Sequence, residues 1–251
     1  MRITSVCVLL TLALIAALFA FAQQPISPGA SAANTAANGP SSADMQAMAG
    51  MDIAHVHEMP HMKLTPLREA QPGDHVRADN IVATLHDALP KYRDYRVAER
   101  DGYHIFMPKL PQKMYHFTKY EYTLEAATEF NPAHPTSLLY EKSGDSFKLI
   151  GAMYTMPFRA TLDELNDRVP LSVTRWHLHT DFCAAPKGEE SEYLAPHPRF
   201  GLRGSITTME ACTQAGGQFH DHIFGWMVHV YPFEKNWADI WSLGRQMDHE
   251  P

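Results

Sequence analysis

The sequence predicts an α+β fold: a single domain in which N-terminal helices precede a mostly antiparallel β-sheet with two short inserted helices. Three observations predict it. Apolar residues recur at helical spacing near the start of the domain, at Ile81, Val82, Leu85 and Leu89. From Met114 onward the pattern changes to short aromatic and β-branched runs punctuated by turn residues. Two Thr-led capping motifs, Thr161-Leu162-Asp163-Glu164 and Thr207-Thr208-Met209-Glu210, open short helices between those runs.

The chain starts with the features of an export signal. Arg2 supplies a positive charge, residues 6–19 are almost unbroken apolar, and Ala20-Phe21-Ala22 forms a small-x-small cleavage site before Gln23. The apolar run is shorter than the about 20 residues of a spanning helix, so residues 1–22 read as a cleaved signal peptide and the chain as periplasmic or secreted, with no stable membrane span after cleavage. Residues 23–64 form an arm. From Ser27 to Asp44 it is Ala, Ser, Asn, Gly and Pro, which offer too little apolar surface to offset the entropy of ordering. It then becomes rich in Met and His: Met45, Met48, Met51, His55, His57, Met59, His61 and Met62. Thioethers are soft donors for Cu(I) and imidazoles take Cu(II), so this stretch is a candidate copper-binding arm. Residues 65–251 are the globular domain, with regular structure expected from about Val76.

After the first helix Pro90 interrupts, and a second short helix is expected over residues 92–100, ending at Gly102. Residues 114–124 read as a strand. Residues 137–142 and 146–156 read as a hairpin across Ser143-Gly144-Asp145, and the second of these is apolar on both faces, as a central strand is. A helix after Thr161 should stop before Pro170, and a strand is expected over residues 171–182. Residues 184–203 are rich in Pro and Gly and read as a long loop. A helix carrying Cys212 should end at Gly216-Gly217, residues 223–231 are the last clear strand, and residues 237–247 are a terminal helix or irregular packing.

The segment Arg175-Trp176-His177-Leu178-His179-Thr180-Asp181 carries the most chemistry. On a strand, alternate residues share a face. Arg175, His177, His179 and Asp181 would lie on one face, with Trp176, Leu178 and Phe182 on the core side. Two imidazoles on one strand face can grip one metal ion. His229, His116 and Glu141 are the candidates to complete the set, and zinc or copper is the metal that imidazole donors suit best. His220-Asp221-His222 is a second His-x-His, placed in a loop after Gly216-Gly217. Cys183 and Cys212 are the two cysteines beyond the signal, and in an exported chain they are expected to pair as a disulfide.

Composition excludes some classes. The net charge of -7 argues against nucleic acid as a partner. There is no Gly-x-Ser-x-Gly elbow, phosphate-binding glycine loop or dinucleotide fingerprint. The expectation is a transition-metal-binding protein. The alternatives are a metal-dependent enzyme and a structural or carrier domain without metal, and the oligomeric state is left open.

Leu138-Leu139-Tyr140-Glu141, Leu149-Ile150-Gly151-Ala152-Met153-Tyr154 and Trp176-His177-Leu178-His179 together resemble the core of the oil body-associated protein family, which has bacterial members. Lys91-Tyr92-Arg93-Asp94, Gly102-Tyr103 and Met114-Tyr115-His116 resemble a broader set of uncharacterised secreted bacterial proteins. The resemblance covers residues of about 90–182. It implies that Glu141, Tyr154, His177 and His179 belong to a recurring core; it brings no catalytic activity, and the lipid-body association of plant members does not carry over.

Overall fold

Among the described residues one antiparallel sheet of seven strands organises the fold, in the order Met62–Leu64, His177–Ala184, Gln218–Val230, Ser146–Met156, Ser137–Ser143, Met114–Thr118, His104–Ile105. The structure is a computed structural model, and it describes residues 60–243. The strands are β1 (Met62–Leu64), β2 (His104–Ile105), β3 (Met114–Thr118), β4 (Ser137–Ser143), β5 (Ser146–Met156), β6 (His177–Ala184) and β7 (Gln218–Val230). The helices are α1 (Asp74–Ala88), α2 (Tyr95–Arg100), α3 (Tyr120–Ala126), α4 (Leu162–Arg168), α5 (Met209–Gln214) and α6 (Trp237–Ile240). The predicted α+β class with a mostly antiparallel sheet is what the structure shows.

Helix α1 starts earlier than its apolar stripe because Asp74 fixes the turn before it. Gly73 adopts φ +93°, and the Asp74 carboxylate accepts hydrogen bonds from Gln71 N–H (2.9 Å), Arg77 Nη2 (3.0 Å) and Ser172 Oγ (2.6 Å). The stripe Ala78, Ile81, Leu85 and Leu89 is buried against the sheet. The expected helix over 92–100 divides in two. Pro90–Arg93 is a 3-10 turn, and Asp94 is extended and caps α2 through the Arg96 N–H.

The face that packs against the helices is aromatic, and its hydroxyls are satisfied. Tyr103 donates to Pro135 O (3.0 Å), Tyr140 to Tyr92 O (2.7 Å) and Tyr154 to Pro132 O (2.7 Å). Burial holds all three phenols well above the ordinary tyrosine range. Trp176, Leu178, Trp226 and Val228 belong to this core. A satellite cluster of Phe200 and Ile206 surrounds the disulfide Cys183–Cys212, which closes a separation of 29 residues.

Several boundaries differ from the sequence-based expectation, each for a local reason. Strand β3 ends at Thr118: the Lys119 N–H turns to Thr136 O, and the helix-forming run Tyr120-Glu121-Tyr122-Thr123-Leu124-Glu125-Ala126 becomes α3. Strand β6 begins at His177 because residues 171–176 are held by the segment before α1, through Arg68 N–H to Leu171 O, Thr65 N–H to Trp176 O and Trp176 N–H to the Thr65 hydroxyl. The Thr161–Glu164 capping box is complete. At α5, however, Thr208 is the cap and accepts from Ala211 N–H, so Glu210 has no reciprocal role. Strand β7 extends back to Gln218 and takes in His220-Asp221-His222, which the sequence placed in a loop.

The boundary of the arm also moves. Met62–Leu64 is an edge strand paired to β6, so the stretch that composition assigns to the arm includes a strand of the sheet. Met45, Met48, Met51, His55, His57 and Met59 lie outside the described residues. Among the described residues no helix is long and apolar enough to cross a membrane.

Two stability outcomes are expected. Replacing Cys183 and Cys212 by Ser should cost about 3–4 kcal/mol in urea denaturation, the chain-entropy value for a loop of this length. The hydrogen bonds to Asp74 outweigh the upward pull of its burial, so its pKa is lowered. Its stabilising contribution is therefore complete above the unfolded value of about 3.9 and is lost as pH falls through the folded one. Asp74→Asn should lower stability at neutral pH by about 1–2 kcal/mol and flatten the loss of stability below about pH 4; a parallel acid limb in the variant would contradict this.

Candidate functional site

Alternation along the strands puts the core aromatic residues on one face of the sheet and a different set of side chains on the other. Trp176 and Leu178 enter the helix-side core, so His177 and His179 point away from it, as the period of two requires. Both are buried, as is His229 on β7, while His116 on β3 is half-buried.

The four imidazoles form a row. Ring centroids are 5.4 Å apart for His179 and His177, 5.2 Å for His177 and His229, and 5.4 Å for His229 and His116. His177 and His229 meet edge to face at 90°. His116 Nε2 and His229 Nε2 approach to 3.5 Å.

That last approach has a consequence for the shape of the sheet. Strands β3 and β7 are separated by β4 and β5, so three strand spacings would hold them about 14 Å apart in a flat sheet. A second contact spans the same gap, from the Tyr231 hydroxyl to Met114 Sδ at 3.9 Å. The sheet is therefore curled toward the histidine face, and the row lies in a concavity. Gly151 on β5 lies beneath it: a Cβ there would stand 2.4 Å from Val230 O and 3.1 Å from the Tyr231 ring.

The sequence-predicted residues fall into three groups. His116, His177, His179 and His229 come together. Glu141 pairs across from Met114 and is half-buried at the rim beyond His116. The remainder do not join. His222 lies against the Phe158 ring, centroids 4.1 Å apart, and His220 is opposite Phe182. Asp181 has φ +53°, which interrupts the alternation expected to align it with the histidines, and Arg175 precedes the strand. His61, assigned to the copper arm, is buried with Nε2 2.7 Å from Gly204 O and Nδ1 3.0 Å from Asp181 O, so its ring clasps the start of β1 to neighbouring backbone.

Sequence reasoning missed the other residents of this face. Met114, Leu139, Met153, Met227 and Tyr231 form its buried apolar cluster with Ile150. Tyr231 Oη lies 3.4 Å from His229 Nδ1. Met114 and Met227 each stand two residues from a candidate histidine, a spacing visible in the sequence; Met153 is brought to His229 only by strand register.

Two donors at 2.0–2.1 Å from a tetrahedral ion stand about 3.3–3.4 Å apart. The His116–His229 spacing is within about 0.2 Å of this, whereas 3.5 Å is long for a nitrogen-to-nitrogen hydrogen bond. No group of three or more His, Cys, Asp or Glu that could hold a metal ion occurs among the described residues. Comparisons with protein-family models, with curated proteins and with solved structures returned no match.

The close approach of Val230 to β5 leaves no room for a side chain at 151. Gly151→Ala should destabilise the fold by about 1–3 kcal/mol through the forced shift of Val230, whereas Gly144→Asn, in the open β4–β5 turn, should cost less than about 1 kcal/mol. Equal losses in chemical denaturation would show that the close approach is not limiting.

Proposed function

We propose that this chain is an exported metal-binding protein that holds a transition-metal ion, copper or zinc, on the concave face of its sheet, with His116 and His229 as the primary ligands and His177 and His179 next in the row. The observation that carries this reading is the 3.5 Å separation of His116 Nε2 and His229 Nε2, a spacing suited to a shared ion. Two further features support it. His177 and His179 continue the row beside the pair, with ring centroids 5.2 Å apart for His177 and His229 and 5.4 Å for His177 and His179. The disulfide Cys183–Cys212 suits an oxidising compartment, which agrees with the export signal read at the N-terminus. On this reading the residues that resemble the oil body-associated family divide by face: Tyr140, Tyr154 and Trp176 build the aromatic core, and His177 and His179 belong to the site.

The test is metal content of the mature protein, purified from the periplasm without an affinity tag or chelator. His229 touches both His116 and His177, so His229→Ala should lose bound metal almost completely and His116→Ala nearly as much. His179→Ala, at the end of the row, should retain most of it. Unchanged stoichiometry in the His116→Ala/His229→Ala double variant would reject the proposal.

A further inference from the structure

The methionines of the histidine face are arranged as regularly as the histidines. Residues directly opposite each other on antiparallel strands share a face, with Cβ atoms about 4.5–5.5 Å apart. His229 is opposite Met153, His177 is opposite Met227 and His179 is opposite Met62. His116 is two residues from Met114 on the same strand face. Each histidine of the row thus has a thioether beside it. Met114, Met153 and Met227 are buried. Met114 also accepts from the Tyr231 hydroxyl, which itself lies beside His229 Nδ1.

These neighbours bear on which metal suits the face. Zinc takes four donors drawn from thiolate, imidazole and carboxylate. On this face two imidazole nitrogens converge, His116 Nε2 and His229 Nε2. Thioethers flank the pair, Met153 across from His229 and Met114 beside His116, with Leu139 opposite His116 and the half-buried Glu141 opposite Met114 at the rim. Thioether is a soft donor that favours Cu(I), and leucine would fill the same volume without a sulfur. Burial among Met, Leu and Ile side chains also favours an ion of single charge over a divalent one, since the cost of desolvating an ion rises steeply with its charge.

Building on the histidine reading above, we propose that the concave face is a Cu(I) site in which Met114 and Met153 supply thioether ligands to an ion held by His116 and His229.

The experiment uses the full chain in a background carrying Met45→Leu, Met48→Leu, Met51→Leu and Met59→Leu, which removes the thioethers of the arm. Cu(I) affinity is measured by competition with a chromogenic Cu(I) chelator, and Zn(II) affinity by competition with a chromogenic zinc chelator. Met114→Leu/Met153→Leu should weaken Cu(I) binding at least tenfold and leave Zn(II) affinity within about twofold. Met156→Leu, on the helix-side core, should change neither. X-ray absorption of the Cu(I)-loaded parent should show sulfur as well as nitrogen around copper, and thermal melts should confirm that the near-isosteric variants fold. If Cu(I) affinity survives Met114→Leu/Met153→Leu but is lost in His116→Ala/His229→Ala, the thioether proposal falls and the histidine reading stands. If neither double variant alters binding of either metal, both fall. A copper spectrum without sulfur overturns the thioether proposal on its own.

Discussion

The pairing of β5 with β7 is the constraint on which the rest of the structure depends. It joins Ala152 through Met156 to Trp226 through Val230. Without it the sheet would separate into β2-β3-β4-β5 and β1-β6-β7. The first half carries His116 and the second carries His177, His179 and His229, so His116 joins the other three only because these two strands meet. Both ends of the pairing are marked by glycine. A Cβ at Gly151 would strike Val230 O, and one at Gly225 would come within 2.1 Å of Met156 O. The two strands are about 75 residues apart in sequence, so the loop-closure entropy of this junction is offset only once long-range burial is in place.

The two faces of the sheet handle buried polarity differently. On the helix side, tyrosine hydroxyls reach carbonyl oxygens at Pro132, Pro135 and Tyr92; the polar atoms there fix the positions of loops and helices over the sheet. On the concave side, imidazoles lie against imidazoles, thioethers and leucine. A buried imidazole carries a donor or acceptor at each nitrogen, and at His116 and His229 two of those nitrogens approach each other to 3.5 Å. On the proposed reading, the two nitrogens of His116 and His229 that approach each other are what a cation would use, and the apolar side chains around them would exclude competing water.

Much of this was legible in the sequence, and the rest was hidden for identifiable reasons. The alternation about Trp176 assigned His177 and His179 to one face without knowledge of any neighbour, and the Thr161–Glu164 box and the β4–β5 hairpin are local signals that survive folding unchanged. His220-Asp221-His222 read as a loop because its residues are polar, yet pairing with Phe182 and Thr180 makes it strand. Asp181 fell out of line because a single positive φ resets the period. The methionines next to the histidines were invisible as a set, since cross-strand neighbours follow from register, and register is a property of pairs of distant segments. Curvature, which brings His116 to His229, is further still from anything periodic in one strand.

Strand β1 shows how composition can misplace a boundary. In the sequence the Met- and His-rich stretch ends at Met62, and composition divides arm from domain at residue 64. But Met62 through Leu64 pair with His179 through His177, His61 O accepts from Thr180 N–H, and Thr65 continues the contact to Trp176. The last residues of the arm are therefore the outer neighbour of the strand that carries two of the four histidines. Removing them would expose β6 as a free edge with unpaired backbone groups and take away the residue opposite His179. His61 and Met62 belong to the sheet, and their histidine and methionine serve its edge and its concave face rather than the arm.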